Sequence, residues 1–245
     1  MSTAEPYDVN FCFPAPDALE NDRVKLVPFI PSLHLSPYFV ASQPHPQIYK
    51  YIPWGEFPNV ESLGEAIEKL RADPAWLLFA VFDKTTPPSD GSDTSGALAG
   101  IMGYLNSSVN NLCTEIGAVI VLPPFQRTHV ASNAVGLLIK YGLNLPSDPS
   151  IPGLGLRRIV WQANYLNQGS VRLAQRMGFL TEGILRWDRV LPLGKPVDTG
   201  NGKPEREGDP RAGCMGRDTI ILGLCWDDWE NGGRGKVESV MARRK

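Results

Sequence analysis

The residues with the clearest chemical potential form a short turn, Gln126-Arg127-Thr128-His129-Val130-Ala131, which follows an apolar run and two prolines. Apolar residues then return at helical spacing, so a helix is predicted to begin within this turn. The first N–H groups of a helix have no partner inside it and lie at the positive end of its dipole. Such a turn is a typical anion site, and phosphate is its usual ligand. A plain corner between a strand and a helix is the alternative interpretation.

Two side chains of the turn favour the anion site. Ala131 is small enough to let phosphate oxygens approach the backbone, and Arg127 adds a cation. The turn is not G-x-x-x-x-G-K-[ST], so it offers no P-loop lysine, and it is not G-x-G-x-x-G, which disfavours a dinucleotide fold. A phosphate-ester or nucleotide binder on a generic α/β fold therefore stays open only as a weaker alternative.

The elements that must position this turn alternate along the chain. Hydrophobic patterning predicts strands that come first as hairpins and later alternate with helices, which indicates one α/β domain with a mixed sheet. We predict a flexible arm over residues 1–20, a domain over 21–230 with a long loop at 192–216, and a polar tail over 231–245. The predicted strands are 24–29, 76–83, 97–105, 112–122, 158–163, 180–191 and 217–226, and the predicted helices are 31–43, 60–71, 128–143 and 170–177.

Composition excludes several classes of partner and site. The chain has 245 residues, a net charge of −2 and a pI of about 6.0, so no basic field argues for nucleic acid or an anionic membrane. Its apolar runs are far shorter than the roughly 20 residues of a membrane span. No secretory signal is visible, so a cytoplasmic location is expected. Neither the three histidines nor the cysteines have metal-ligand spacing, so we expect no metal and free thiols at Cys12, Cys113, Cys214 and Cys225.

Several short motifs, in order, resemble one family. Residues 126–131 look like the Q/R-x-x-G-x-G/A pyrophosphate loop of the GNAT superfamily of acetyl-CoA-dependent N-acyltransferases, with His129 where that loop usually has glycine. The other motifs resemble its RimJ/RimL-like branch, over roughly residues 24–229. They are Tyr51-Ile52-Pro53-Trp54-Gly55-Glu56-Phe57, Glu115-Ile116-Gly117, the N-x-x-S of Asn167 and Ser170, Gly178-Phe179, the E-G-x-x-R of residues 182–186, and Arg217-Asp218.

This resemblance implies a fold and a reaction. It implies a GNAT-like mixed, strongly twisted central sheet flanked by helices, and a homodimer is a further expectation from the family. It also implies transfer of an acetyl group from acetyl-CoA, as co-substrate, to a primary amine of a small molecule or a protein N-terminus. The amine would attack directly in a ternary complex, in a cleft shaped by residues 51–57 and 192–216. The alternative is a non-catalytic acyl-CoA-binding or regulatory module of the same fold.

The resemblance also implies site residues. Glu115 would act as the base or position a water, although a solvated or paired carboxylate on a strand is the simpler alternative. Ser170 would protonate the leaving thiolate, or merely cap a helix. Asn167 would contact the pantetheine arm or cap a turn, and Glu182 is expected in an ion pair, with Arg186 as one candidate partner. The predicted cofactor-binding residues are Val119, Val121, Gln126, Arg127, Thr128, His129, Val130, Ala131, Asn167 and Ser170.

Overall fold

An eight-stranded mixed sheet forms the centre of the molecule, in the spatial order β1-β2-β3-β4-β5-β6-β8-β7. The computed structural model describes residues 7–54, 56–88 and 96–243. The predicted mixed α/β sheet flanked by helices is confirmed. The strands are β1 Leu19–Glu20, β2 Val24–Pro28, β3 Leu77–Asp83, β4 Ala97–Ser108, β5 Cys113–Val121, β6 Arg158–Asn164, β7 Leu180–Val190 and β8 Gly216–Cys225. The helices are α1 Pro31–Ser42, α2 Val60–Arg71, α3 Val130–Leu143, α4 Gln168–Arg176, a single turn α5 Trp226–Asp228, and α6 Arg234–Met241.

Helices cover the sheet on both faces because its inner strands are apolar on both sides. In β3, Phe79 packs into one buried cluster while its neighbour Ala80 packs into another. Successive side chains of a strand point to opposite faces, so these two clusters are the two sides of the sheet. The first cluster includes α3, α4 and α6, and the second includes α1 and α2.

The sheet opens between its two central strands. β5 and β6 are the only parallel neighbours among the described strands, and they pair only over residues 113–115 and 158–160. Both strands continue beyond this short ladder, β5 to Val121 and β6 to Asn164. β5 also carries one extra residue opposite β4 near Ala118, whose φ is +50°. A bulge of this kind bends its strand and disrupts the ladder, so an opening forms in the middle of the sheet.

The N-terminal segment lies against the sheet, which differs from the flexible arm that we expected. Phe11 stacks on the buried ring of Tyr104, with ring centroids 6.1 Å apart. The Cys12 N–H donates to the Pro74 carbonyl at 2.8 Å, and the Tyr7 hydroxyl donates to Glu68 at 2.6 Å. The aromatic residues in this proline-rich segment bury apolar surface, which stabilises it without regular structure. Residues 1–6 lie outside the described part of the chain.

The C-terminal segment forms α6, where we expected a polar tail. Val237 and Val240 are buried, and α6 packs on α3, where Met241 fills the space left by the missing side chain of Gly136. These few apolar residues lie among charged ones, so their helical periodicity is weak and the sequence does not predict this helix. The predicted domain boundaries at residues 21 and 230 stay a prediction.

The segment between β7 and β8, residues 191–215, contains only one short 3-10 turn, Val197–Thr199. It is nonetheless attached to the body of the molecule. The Lys195 ammonium donates to the Tyr49 carbonyl at 2.7 Å, Lys50 pairs with Asp198 at 2.6 Å, and the Asn164 amide donates to the Thr199 carbonyl at 2.8 Å. The predicted loop at 192–216 thus lies beside residues 49–50. Within the described residues, no helix has the length and apolar character that crossing a bilayer requires.

The packing of α6 leads to a first prediction, for Val237→Ala. Val237 is fully buried, so its truncation should lower the free energy of unfolding by about 2 kcal/mol, through lost apolar burial and a residual cavity. The matched control is Val197→Ala, because Val197 is 85% exposed and should change stability by less than about 0.5 kcal/mol. Urea denaturation of both variants measures the difference. Equal stabilities would contradict the packing of α6 on the domain.

Candidate active site

Two cavities meet where β5 and β6 separate. The larger, of about 590 Å³, runs from the 126–132 turn to the beginning of α4. The smaller, of about 160 Å³, lies between Glu115 and residues 51–54. Four residues line both: Val119, Trp161, Asn167 and Ser170. The structure therefore brings together most of the predicted site residues, and the two catalytic candidates both face the smaller cavity.

The 126–131 turn is held by its own polar side chains. The Gln126 side-chain amide donates to the Val121 carbonyl at 2.9 Å, and the Thr128 hydroxyl donates to the Phe125 carbonyl at 2.6 Å. The Val130 N–H donates to Thr128 Oγ1 at 3.3 Å. The first N–H groups of the 14-residue helix α3 have no acceptor within that helix, and Ala131 and Ser132 line the larger cavity. The turn can therefore offer backbone donors to an anion.

The left-handed position of the turn is Arg127, with φ +60°, and not His129, with φ −70°. The histidine in the place of the usual glycine therefore costs no backbone strain. Its ring is occupied elsewhere, because Nε2 lies 3.1 Å from Oδ1 of the buried Asp83. Asp83 in turn accepts hydrogen bonds from Thr85 and Thr86. The His129 side chain is thus bonded to β3, and the residue also lines the larger cavity.

The larger cavity is strongly cationic. Four arginines line it, Arg127, Arg172, Arg176 and Arg243, and no carboxylate does within the described residues. Such a surface attracts a polyphosphate. Sequence reasoning found only the first of the four. Arg172 and Arg176 lie four residues apart on α4, and this spacing in the sequence could have indicated that they share one face of the helix. Arg243 follows α6, and it lines the cavity only because that helix packs against the domain, which the sequence did not predict.

The bulge in β5 presents backbone at the junction of the cavities. Ala118 and Val119 together lie opposite the single residue Met102 of β4, and β6 does not pair with them. The extra residue of a bulge is left outside the ladder. Val119 borders both cavities, whereas Val121 borders only the larger one. Polar backbone groups near Val119 can therefore face a bound molecule instead of a neighbouring strand.

Asn167, not Ser170, caps α4. Asn167 Oδ1 accepts a hydrogen bond from the Ser170 N–H at 3.2 Å. Ser170 is therefore not the N-cap, which was the simpler interpretation of this serine. Ser170 Oγ instead accepts the indole N–H of the buried Trp161 at 2.9 Å. With that lone pair occupied, the hydroxyl proton remains available for donation into the junction of the two cavities.

Glu115 is a buried carboxylate in the wall of the smaller cavity, 7% exposed. Its Oε2 accepts from the side-chain amides of Asn106 at 2.8 Å and Gln162 at 3.0 Å. Burial raises the pKa of Glu115, against the opposing effects of the Asn106 hydrogen bond and of nearby Arg189 and Arg217. A carboxylate with a raised pKa accepts a proton more readily near neutral pH, which suits a general base.

Other candidate groups lie outside the cavities. Glu182 forms its ion pair with Arg158, not Arg186, with one contact of 2.6 Å, and lines neither cavity. The four cysteines are free thiols. Cys225, Asp227 and Asp228 lie close together because Asp228 caps the turn at Cys225, and they too line neither cavity. The absence of a metal stays a prediction.

Known structures share this fold. A GCN5-related N-acetyltransferase from Brucella melitensis matches with a TM-score of 0.71 and 24% identity, over 94% of this chain and 88% of that one. A Vibrio cholerae spermidine N-acetyltransferase in complex with CoA and spermine has a TM-score of 0.59 and 16% identity, over 86% and 100%. Mycobacterium smegmatis RimJ in complex with CoA-disulfide has a TM-score of 0.59 and 16% identity, over 88% of each chain.

No functionally curated protein matches the sequence. Residues 23–180 match the family model described as "Acetyltransferase (GNAT) domain", which spans more than half of the chain and includes β5, the turn and α4. The chain belongs to the GNAT acetyltransferase family.

Proposed function

We propose that the protein transfers an acetyl group from acetyl-CoA to a primary amine, of a small molecule or a protein N-terminus, by direct attack in a ternary complex. The observation that carries this proposal is the junction of the two cavities at Val119 and Ser170. The larger cavity has the charge and the backbone donors for a phosphorylated cofactor. The smaller one has a buried carboxylate that can accept a proton. The two occupants would meet at the opening between β5 and β6.

The larger cavity suits coenzyme A in charge, because arginines line it. The backbone of residues 126–131 and the Arg127 guanidinium would hold the pyrophosphate, because the beginning of a helix and a cation lie together there. Asn167 and the edge of β5 over residues 119–121 would hold the pantetheine arm. Bound acetyl-CoA supplies a thioester whose carbonyl carbon is open to attack. Backbone N–H groups near Val119 would stabilise negative charge on the carbonyl oxygen.

Proton transfers to and from the two substrates complete the proposed reaction. An alkyl amine with a pKa of about 10.4 is nearly all cationic at neutral pH, so it must lose a proton before it attacks. Glu115 would take that proton, directly or through a water, before the new C–N bond forms. As the C–S bond breaks, Ser170 would donate its proton to the leaving thiolate, and the second proton of the attacking nitrogen would pass to the Ser170 oxygen through water. Both groups border the smaller cavity, and only Ser170 also borders the larger one.

Membership of the RimJ/RimL-like branch belongs to the same proposal, and the fold shared with RimJ supports it. A homodimer is supported by β7, an edge strand with several exposed apolar side chains that include Leu180, Ile184 and Trp187. The cytoplasmic location rests on the sequence alone. The non-catalytic binding module remains the rival function, and it differs in one observable, because it would bind acetyl-CoA without releasing CoA thiol.

The turn leads to a prediction for Arg127→Glu. Reversing this charge should weaken acetyl-CoA binding at least tenfold, since a charge-assisted hydrogen bond contributes about 1.5–3 kcal/mol. Isothermal titration of acetyl-CoA, with ATP and NADH as ligand controls, measures the affinity. Arg206→Glu is the matched variant, because Arg206 is 79% exposed in the 191–215 loop and lines neither cavity. Equal affinities in the two variants would remove the turn from the cofactor site.

Glu115 leads to a prediction for Glu115→Gln. Loss of a general base should lower kcat by about 10²–10⁴-fold, while acetyl-CoA affinity stays unchanged, because Glu115 does not line the larger cavity. A base acts when deprotonated, so the activity of the parent protein should fall as pH falls through the raised pKa of Glu115. This fall in activity at low pH should be absent from the pH profile of Glu115→Gln.

Discontinuous assays of CoA thiol release over a range of pH measure both the loss of kcat and the change in the pH profile. Glu182→Gln, which removes a carboxylate from a surface ion pair, is the control and should retain the parent profile. Full turnover by Glu115→Gln would exclude this residue as the base.

A further inference from the structure

The smaller cavity contains a buried cation whose Nε has no hydrogen-bond acceptor among the described residues. This cation is Arg217 of β8, which is only 4% exposed. Its guanidinium lies within 4.0 Å of no described carboxylate, although the charges of Asp188 and Glu115 attract it from farther away. Buried polar groups are almost always hydrogen-bonded, because leaving one unpaired costs the full loss of its hydration. Arg217 therefore calls for an explanation.

A second arginine makes the unpaired charge more costly. Arg189 of β7 lies directly opposite Arg217 in the antiparallel ladder and also lines the cavity. Like charges in directly opposed positions destabilise a sheet. Burial, and then the charge of Arg189, lower the pKa of Arg217 to about 10, against the opposing charges of Asp188 and Glu115, so Arg217 remains cationic at neutral pH.

The nearby carboxylates are bonded to other groups. Asp188 Oδ2 accepts the Thr219 hydroxyl at 2.7 Å and lies 3.4 Å from Nε of Arg189. Glu115 Oε2 accepts from two side-chain amides. Neither forms a hydrogen bond with Arg217. Among the described residues the cavity lining thus contains two arginines and one carboxylate, and Arg189 is paired with Asp188, so Arg217 is the cation available to a bound anionic group.

We propose that the acceptor is an amine that also bears a carboxylate, as a small amino acid does. This inference rests on the proposed acetyl transfer and names its substrate class. The two arginines would receive the carboxylate, for which a guanidinium offers paired donors, and Glu115 would face the amine. Polyamines, which bring several positive charges, are disfavoured beside Arg189 and Arg217.

The size of the cavity agrees with this class. Its volume of about 160 Å³ is close to that of an engineered cavity of about 150 Å³ that binds benzene, which has six non-hydrogen atoms. A small amino acid such as alanine has the same number. The aromatic residues Tyr51 and Trp54 also line this cavity, which limits the acceptor further.

The test compares small amino acids with their amides as acceptors for the full-length protein. Glycine, L-alanine, L-serine and L-threonine are each paired with the corresponding amide, and CoA thiol release gives kcat/KM. The two members of a pair differ in the carboxylate charge. The amino group of each amide is less basic than that of the amino acid, so a larger share of it is unprotonated at neutral pH. This difference alone would make the amide the better acceptor. We expect the best amino acid to exceed its amide at least tenfold.

A substitution connects this preference to the arginine. Arg217→Gln should reduce the ratio of kcat/KM for the amino acid to that for its amide to about one, because the guanidinium that binds the carboxylate is removed. Arg206→Gln, the same change on an exposed loop side chain, should retain it. If Arg217→Gln does not fold, the comparison in the parent protein decides alone.

The contrary outcomes are distinct. Amides as good as acids, or a preference for spermidine or for a peptide N-terminus, would overturn the carboxylate inference while leaving acetyl transfer intact. An acid preference that survives Arg217→Gln would overturn the role of this arginine. Binding of acetyl-CoA with no thiol release for any amine would contradict the proposed function itself, and the substrate class with it.

Discussion

The short parallel ladder between β5 and β6 is the constraint on which the rest of the site depends. Only three residue pairs join these strands, although each continues for several residues beyond the last pair. A ladder that continued would fill the middle of the sheet with paired backbone. Because it stops at Glu115 and Val160, the backbone of the β5 bulge is released from pairing and two cavities meet in the gap. The neighbouring antiparallel ladders keep the sheet together around this opening.

Charge is divided between the two sides of the opening. Arginines from the turn, from α4 and from the residue range after α6 line the larger cavity, and none of the described carboxylates does. The smaller cavity pairs a buried carboxylate with two opposed arginines. A phosphorylated molecule is attracted to the first surface, whereas the second can both accept a proton and receive a negative group. The junction at Val119 and Ser170 is therefore a place where two chemically different molecules can be brought into contact.

Much of this arrangement could be predicted from the sequence, because the relevant signals are local. The continuous apolar run of β3, the helical spacing of α3 and the turn at residues 126–131 each depend on a few neighbouring residues. The family motifs then indicated the fold and placed Glu115 and Ser170 on their elements. Their geometry agrees with those roles, but the roles themselves remain proposals.

The rest could not be predicted because it depends on contacts distant in sequence. Stacking of Phe11 on Tyr104 orders a segment that looks like a loose arm. The C-terminal helix has few apolar residues and is stabilised by α3, more than one hundred positions earlier in the chain. In the sequence Arg217 is one residue of a predicted strand, and only the strand register shows that it lies opposite Arg189. Its Nε has no hydrogen-bond acceptor in the described part of the chain.

The most direct test of the central claim, that both substrates occupy the opened sheet together, is a two-substrate kinetic analysis of CoA thiol release. Acetyl-CoA and the amine acceptor are varied against each other, and double-reciprocal plots are compared. Direct attack in a ternary complex predicts lines that intersect, because each substrate changes the apparent specificity constant for the other. Parallel lines would indicate a covalent acetyl-enzyme that forms before the amine binds, and would contradict the account.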